Sequence, residues 1–116
     1  MTPAPFKIRS EREQGAFVIQ IEGELDMSTA PGLEQELETP LATPGSVLLL
    51  DLSRCEFIDS TGIALIVNAW QRLEADGRFA LCGIGNQVER VLGITGLGAT
   101  IPTHTSREDA LTRLCR

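Results

Sequence analysis

The chain has 116 residues, of which 42% are hydrophobic, and a formal net charge of −6 at pH 7, which suits a single domain spanning residues 1–116 with an ordered core over about residues 6–114. The acidic balance argues against direct binding of nucleic acid, which requires clustered Lys and Arg. Since no apolar run reaches the roughly 20 residues of a membrane span and the first residues lack the apolar core of a signal peptide, we expect a cytoplasmic protein without a membrane span.

The first part of the chain alternates between apolar and polar residues. Residues 6–9 predict a short edge strand, residues 11–15 predict a turn, and residues 17–22 predict a second strand with its odd-numbered residues toward the core. Two strands joined by a short turn form an antiparallel pair. We therefore expect a hairpin at the start of the sheet.

A helix and a buried strand follow. Ser28 or Thr29 can cap the helix, and Pro40 is expected to stop it, because the residue before a proline disfavours helical backbone. Residues 47–51 are almost continuously apolar, which is typical of a strand that is covered on both faces.

The segment from Phe57 to Gly62 joins the end of a strand to the beginning of a helix. Apolar residues recur after it at helical spacing, so Ser60 lies at or beside a helix N-terminus. Unpaired N–H groups and the positive end of the helix dipole lie there and favour a phosphate group. A hydroxyl in this position can be phosphorylated and reset; the structural alternative is that Asp59 or Ser60 only caps the helix.

The last part of the chain predicts two further strands and two further helices. Residues 79–82 form a short buried strand, Asn86 opens a capping box for a helix that Gly96 closes, residues 100–103 form a weak edge strand, and Ser106 caps the last helix. The resulting order is β-β-α-β-α-β-α-β-α. It predicts an α/β domain with a mixed sheet of four to five strands, antiparallel in the first hairpin and otherwise largely parallel, covered by about four α-helices.

Cofactor and metal sites are not expected. The histidine count is one, His104, and there is no cluster of Cys and His with metal-ligand spacing. The turn at residues 83–85 resembles the start of a dinucleotide-binding fingerprint, but Val88 stands where the third glycine belongs, which favours a simple tight turn. The cysteines are widely spaced and odd in number, which indicates reduced thiols. They are Cys55, Cys82 and Cys115.

Two enzymatic interpretations are weighed against structural ones. Ser60 with His104 as base could suggest a hydrolase, but the G-x-S-x-G context of such a nucleophile is missing. Asp26, Asp51 and Asp59 fall near predicted strand ends and could suggest Mg²⁺, yet the strand order is wrong for an aspartyl-phosphate receiver. We therefore expect a protein that is not an enzyme, with Asp51 in a turn and Asp59 as a local cap.

Four motifs in order resemble the STAS domain of the anti-sigma factor antagonist (anti-anti-sigma factor) family. They are G-E-L-D at residues 23–26, the central strand at residues 47–52, the phosphorylation motif F-I-D-S-T-G-I at residues 57–63, and the late helix with its glycine-leucine end at residues 88–97. Their order and spacing agree from about Phe6 to Leu114. Together they imply the STAS-type fold and a bacterial transcription regulator.

The resemblance also implies a switch by partner exchange. The serine matching Ser60 is phosphorylated by a partner that is both an ATP-using, GHKL-type serine kinase and an anti-sigma factor. The unphosphorylated form binds this partner and frees the sigma factor, and a PP2C-type phosphatase restores the serine. Thr61 is the less favoured acceptor. We expect a protein that is a monomer when free, with a partner-binding surface of Asp26, Asp59, Ser60, Thr61 and Gly62.

The switch is expected to act through local charge rather than a change of fold. A phosphate at about 5–6 Å from a carboxylate such as Asp26 or one of the partner is repelled by roughly 3 kcal/mol per charge pair at an effective dielectric near 20, or about a hundredfold in affinity. The alternative function is a STAS subunit of a cytoplasmic lipid-transporting ABC-type complex. In that complex Ser60 would be a contact residue.

Overall fold

The chain alternates strands and helices in the predicted order. The computed structural model describes residues 5–74, 78–96 and 100–115, so residue 97 of the late-helix motif lies outside the described residues. The elements in the described part are β1 (Lys7–Glu13), β2 (Ala16–Leu25), α1 (Ala30–Ala42), β3 (Val47–Ile58), α2 (Ser60–Glu74), β4 (Arg78–Cys82), α3 (Asn86–Thr95), β5 (Thr103–His104) and α4 (Arg107–Leu114).

The described strands form one mixed sheet in the order β1-β2-β3-β4-β5. β1 and β2 are antiparallel, and the other neighbouring pairs are parallel. The hairpin is closed by Gln14 and Gly15, whose φ angles of 53° and 86° match the two-residue turns that fit the twist of paired strands. The predicted fold class is confirmed.

Helices cover both faces of the sheet. Residues of α1, α2 and α3 pack with Leu48 and Leu50 on one face, whereas α4 packs with Val18, Leu49 and Ala80 on the other. Alternate residues of β3 therefore enter two different apolar clusters, which explains why residues 47–51 read as a continuous apolar run. It also explains why Val18, on the even-numbered side of β2, is fully buried.

Two predictions in the first half were wrong. Residues 11–13 do not belong to the turn but continue β1 as a charged edge strand, where the Arg12 guanidinium lies 3.9 Å from the centre of the Phe17 ring. Pro40 does not stop α1 but lies inside it, two residues before the end. A proline so near the end removes one helical hydrogen bond, and the Pro40 carbonyl accepts the Ser46 hydroxyl at 2.7 Å.

The second half requires two further corrections. The cap of α3 is Gly85, without a side-chain hydrogen bond, so Asn86 is the first helical residue rather than the start of a capping box. The strand predicted at residues 100–103 is reduced to Thr103–His104. Two helix boundaries are confirmed: Gly96 ends α3 in the left-handed conformation with φ 78°, and the Ser106 hydroxyl accepts the Asp109 N–H at 3.1 Å. At the start of α1, Thr29 is the N-cap residue, but its side chain makes no capping hydrogen bond.

Candidate functional site

Ser60 is the first residue of α2 and directly follows the short link from β3. Its side chain is exposed, and its hydroxyl makes no hydrogen bond to any described residue. The backbone around it is fixed by the sheet on one side and by the helix on the other. A free hydroxyl on a rigid support is therefore accessible to another protein.

Asp59, rather than Ser60, caps the helix. Asp59 Oδ1 accepts the N–H groups of Thr61 at 2.9 Å and of Gly62 at 3.1 Å. Asp59 Oδ2 accepts the N–H of Met27 at 3.2 Å. The carboxylate thus satisfies the first turn of α2 and ties it to the loop that follows β2. The Ser60 hydroxyl is left without a capping role.

Asp26 orders that loop from within. Its carboxylate accepts the Ser28 hydroxyl at 2.7 Å and the N–H groups of Ser28 and Thr29 at 2.9 and 3.2 Å. The hydrogen bond from the Ser28 hydroxyl is the main reason that the pKa of Asp26 lies below its usual value, and the backbone bonds add to it while desolvation opposes them. Asp26 is therefore an ionised residue turned into its own loop.

Gly62 allows the first turn of α2 to sit directly on the strand ends. A Cβ at this buried position would lie 2.8 Å from Ile58 Cγ1 and 2.8 Å from Leu25 Cγ. Only a residue without a side chain fits here without movement of its neighbours. Gly62 thus supports the site from below, while Thr61 beside it is half-buried.

Two exposed apolar side chains at this end of the sheet were not predicted. Met27 is 76% exposed and Phe57 is 39% exposed. Phe57 lies opposite Glu24 across β2 and β3, after two shifts in strand register. These irregularities break the alternation that would have placed Phe57 by pattern. We call Asp26, Met27, Phe57, Asp59 and Ser60 together the strand-end surface.

Asp51 does not join this surface, and it is not in the turn that the sequence predicted. Asp51 lies inside β3 rather than in a turn and is 5% exposed. Its Oδ2 lies 3.0 Å from the Arg107 guanidinium, and its Oδ1 accepts the Ser53 hydroxyl at 2.7 Å. Burial raises the pKa of Asp51, but the bonds from Ser53 and the charge of Arg107 outweigh it, so the pKa is below its usual value.

The other candidates for chemistry are separate from Ser60. His104 pairs with Asp109, its Nδ1 lying 3.5 Å from the carboxylate, at the edge strand β5. The turn at residues 83–85 passes so close to β3 that a Cβ on Gly83 would lie 2.7 Å from Ser53 Cβ. Within the described residues, no group of His, Cys, Asp and Glu is arranged to hold a metal ion. No described helix combines the length and the apolar character that crossing a membrane requires.

The cysteines are free thiols, as predicted. Burial raises the pKa of Cys55, and it raises the pKa of Cys82 to about 12. Both are therefore protonated at neutral pH and pack as small apolar residues.

Comparisons with known proteins agree with this architecture. The family model described as "STAS domain" matches residues 7–110. The chain is 34% identical over 92 residues to an anti-sigma-B factor antagonist of Listeria monocytogenes, covering 78% of this chain and 81% of the relative. The crystal structure of an anti-sigma factor antagonist from Mycobacterium paratuberculosis superposes with a TM-score of 0.89 at 31% identity, covering 97% and 96% of the two chains. The anti-sigma factor antagonist SpoIIAA in its unphosphorylated form superposes with a TM-score of 0.75 at 26% identity, covering 94% and 95%.

Proposed function

The chain belongs to the STAS domain family of anti-sigma factor antagonists, and we propose that Ser60 is the phosphorylation switch of a cytoplasmic partner-exchange system. The unphosphorylated form binds an anti-sigma factor that is also a serine kinase and so frees the sigma factor; phosphorylation ends the binding. The exposed, unbonded Ser60 hydroxyl on a rigid helix start carries this proposal.

The kinase, of the GHKL type, brings ATP and Mg²⁺. Ser60 Oγ attacks the γ-phosphorus, an O–P bond forms as the bond to ADP breaks, and the hydroxyl proton passes to a base of the kinase. A PP2C-type phosphatase then transfers the phosphoryl group to water and restores the serine. The antagonist supplies the nucleophile and its position, and it is a regulatory binding protein rather than the enzyme.

Ser60 is the better acceptor of the two adjacent hydroxyl residues. Thr61 is half-buried, and its N–H is held by Asp59. The Ser60 side chain is exposed and can enter the active site of another protein without movement of α2. We therefore assign the modification to Ser60.

The partner contacts the strand-end surface. Met27 and Phe57 supply apolar anchors, which typically carry much of the energy of a protein interface. Asp26 and the exposed Glu56 are the chain neighbours of these two residues, and Asp59 accepts the Met27 N–H. This composition fits a partner patch that combines apolar side chains with positive charge.

The remaining residues of the predicted binding set act by position. Gly62 is buried, and half-buried Thr61 donates its N–H to the Asp59 cap. Both residues therefore fix the backbone of the helix start that carries Ser60. The transport-subunit alternative is not favoured, because the relatives described above that are more than 30% identical over most of this chain are named anti-sigma factor antagonists.

A pull-down from source-organism lysate tests the function. Three baits are compared: Ser60→Ala, Ser60→Asp and, as a charge-matched control at an exposed loop position, Thr105→Asp. We expect an anti-sigma serine kinase to be retained by the Ser60→Ala and Thr105→Asp baits and lost from the Ser60→Asp bait. Equal retention by all three baits, or capture of a transporter subunit in place of the kinase, contradicts the proposal.

A further inference from the structure

We propose that Asp59 transmits the modification of Ser60 to the loop after β2: a phosphate on Ser60 breaks the hydrogen bond between Asp59 and Met27 and releases the apolar part of the strand-end surface. This inference rests on the proposed function, since it takes Ser60 as the modified residue. It makes Asp59 a positioning residue whose effect on the partner passes through Met27.

The Asp59 carboxylate both caps α2 and binds the loop after β2. Asp59 Oδ1 holds two N–H groups at the start of α2, and Oδ2 holds the N–H of Met27. The neighbours of Met27 in the loop are fixed separately, by the bonds of the Asp26 carboxylate to Ser28 and Thr29. The bond to Asp59 is thus the described link between the Met27 backbone and α2.

A phosphate on the adjacent residue acts on this carboxylate in two ways. It adds roughly −1.5 to −2 charges next to Asp59, and at about 5 Å with an effective dielectric near 20 each charge pair outweighs the net contribution of one hydrogen bond. Its oxygens are also strong acceptors that compete for the N–H groups of Thr61 and Gly62. Among the described residues, neither Asp59 nor Asp26 takes part in an ion pair that could offset this charge.

The charge repulsion expected from the sequence weakens binding only where the phosphate faces a carboxylate of the partner. The strand-end surface already carries Asp26 and Asp59, with Glu56 next to Phe57. Further negative charge on it would strengthen the attraction to a positively charged partner patch. A change in the shape of the strand-end surface would weaken binding whatever the charge of the partner patch, because release of Met27 removes an apolar anchor that is 76% exposed.

The test uses phosphoserine placed at position 60 during protein synthesis, so that it needs no kinase. Asp59→Asn is the informative variant: its single carbonyl oxygen can still cap Thr61 and Gly62, since Asn is a preferred cap, but its NH₂ group cannot accept the Met27 N–H. Glu56→Gln removes one charge from the same strand end, at an exposed side chain with no hydrogen bond to a described residue, and is the matched control.

The Met27 amide is followed by NMR as its proton shift and its rate of exchange with water. We expect exchange to accelerate about fivefold or more, the equivalent of one hydrogen bond, both in the phosphoserine protein and in unmodified Asp59→Asn. In Glu56→Gln it should match the unmodified wild type. In Asp59→Asn, phosphoserine should cause little further change at Met27.

An unchanged Met27 amide in the phosphoserine protein overturns the inference, as does an Asp59→Asn amide that exchanges as slowly as the wild type. These outcomes are distinct from failure of the proposed function, which is read from partner binding. If phosphoserine abolishes binding while Met27 keeps its bond, the switch stands and its transmission through Asp59 is wrong.

Discussion

The side chain of Gln87 on α3 bonds both backbone groups of Ile58 at the end of β3. Gln87 Oε1 accepts the Ile58 N–H at 2.9 Å, and Gln87 Nε2 donates to the Ile58 carbonyl at 3.2 Å. The amide thus extends the hydrogen bonding of β3 on its β4 side, where the described pairing with β4 ends at Asp51, while β2 still pairs with Ile58 on the other side. Because Ser60 follows two residues later, α3 helps to fix the position of Ser60.

Replacing Gln87 with Ala should lower the free energy of unfolding by about 1–3 kcal/mol, since two partly buried backbone groups lose their partner. Urea denaturation monitored by circular dichroism measures this. Asn86→Ala is the control, because the Asn86 side chain is exposed and does not cap α3. If Asn86→Ala also lowered the free energy of unfolding by about 1 kcal/mol, Asn86 would be acting as a helix cap after all, which would contradict this description.

Gly62→Ala and Gly93→Ala should shift stability in opposite directions. At Gly62 the added methyl group meets Ile58 and Leu25 at 2.8 Å, and such overpacking costs about 1–3 kcal/mol. At Gly93, inside α3, a methyl group meets no atom of the described residues within 4 Å, so the better helix propensity of Ala should add about 0.5–1 kcal/mol. Thermal or urea unfolding of both variants tests the pair, and destabilisation by Gly93→Ala would show that α3 is wrongly placed.

Because Arg107 pairs with Asp51, we expect the effect of removing Arg107 on stability to depend on pH. Because the pKa of Asp51 is lowered, its contribution to stability is complete above the unfolded-state value of about 3.9 and is lost as the pH falls through the folded-state value. Arg107→Met removes the charge but leaves the burial of Asp51, and it also removes the pairs of Arg107 with the more exposed Glu11 and Glu13. We expect the free energy of unfolding to fall by about 3 kcal/mol at pH 7, at the lower end for a buried pair because Arg107 is partly exposed, and we expect the difference from the wild type to narrow below about pH 4.

Urea unfolding at several pH values between 3 and 7 checks this prediction. Arg54→Met is the control, because the pair of Arg54 with Glu22 at 3.2 Å is exposed and such pairs contribute about 0–1 kcal/mol. A destabilisation by Arg107→Met that stays constant over the whole pH range would show that Asp51 is not the group involved.

Phe57→Ala should weaken binding of the proposed partner kinase by about tenfold to a hundredfold, as expected for an apolar anchor in an interface. Since Phe57 is only 39% exposed, circular dichroism first establishes that the variant is folded. Ile94→Ala on α3 is the matched control, since Ile94 is a large apolar side chain that is 81% exposed outside the strand-end surface. Titration calorimetry with the kinase captured by the Ser60→Ala bait gives both affinities. Equal losses of affinity in the two variants would mean that the partner does not bind at the strand-end surface.

Local patterns in the sequence were sufficient to predict the order of the elements. Ser106 as a cap, Gly96 as a helix end and Ser60 at a strand-to-helix junction each depend on residues within a few positions. Pro40 departs from its local preference, because packing of α1 on the sheet outweighs the tendency of a proline to end a helix.

The connections that shape the site could not be predicted, because they join residues far apart in the chain. Gln87 lies 29 positions from Ile58, Asp59 lies 32 from Met27, and Arg107 lies 56 from Asp51. Hydrophobic periodicity says which face a residue takes, but it does not say which distant polar group it will meet. Phe57 was missed for a related reason, since register shifts in β2 and β3 break the alternation that places side chains on a face.

The central claim is that modification of Ser60 controls docking of the kinase. The most direct measurement is titration calorimetry of that kinase with two forms of the antagonist that differ only by a phosphate on Ser60. The account predicts that the unmodified form binds at least about a hundredfold more tightly than the phosphoserine form. This corresponds to a difference of about 2.7 kcal/mol in binding free energy. Equal affinities for the two forms would contradict it.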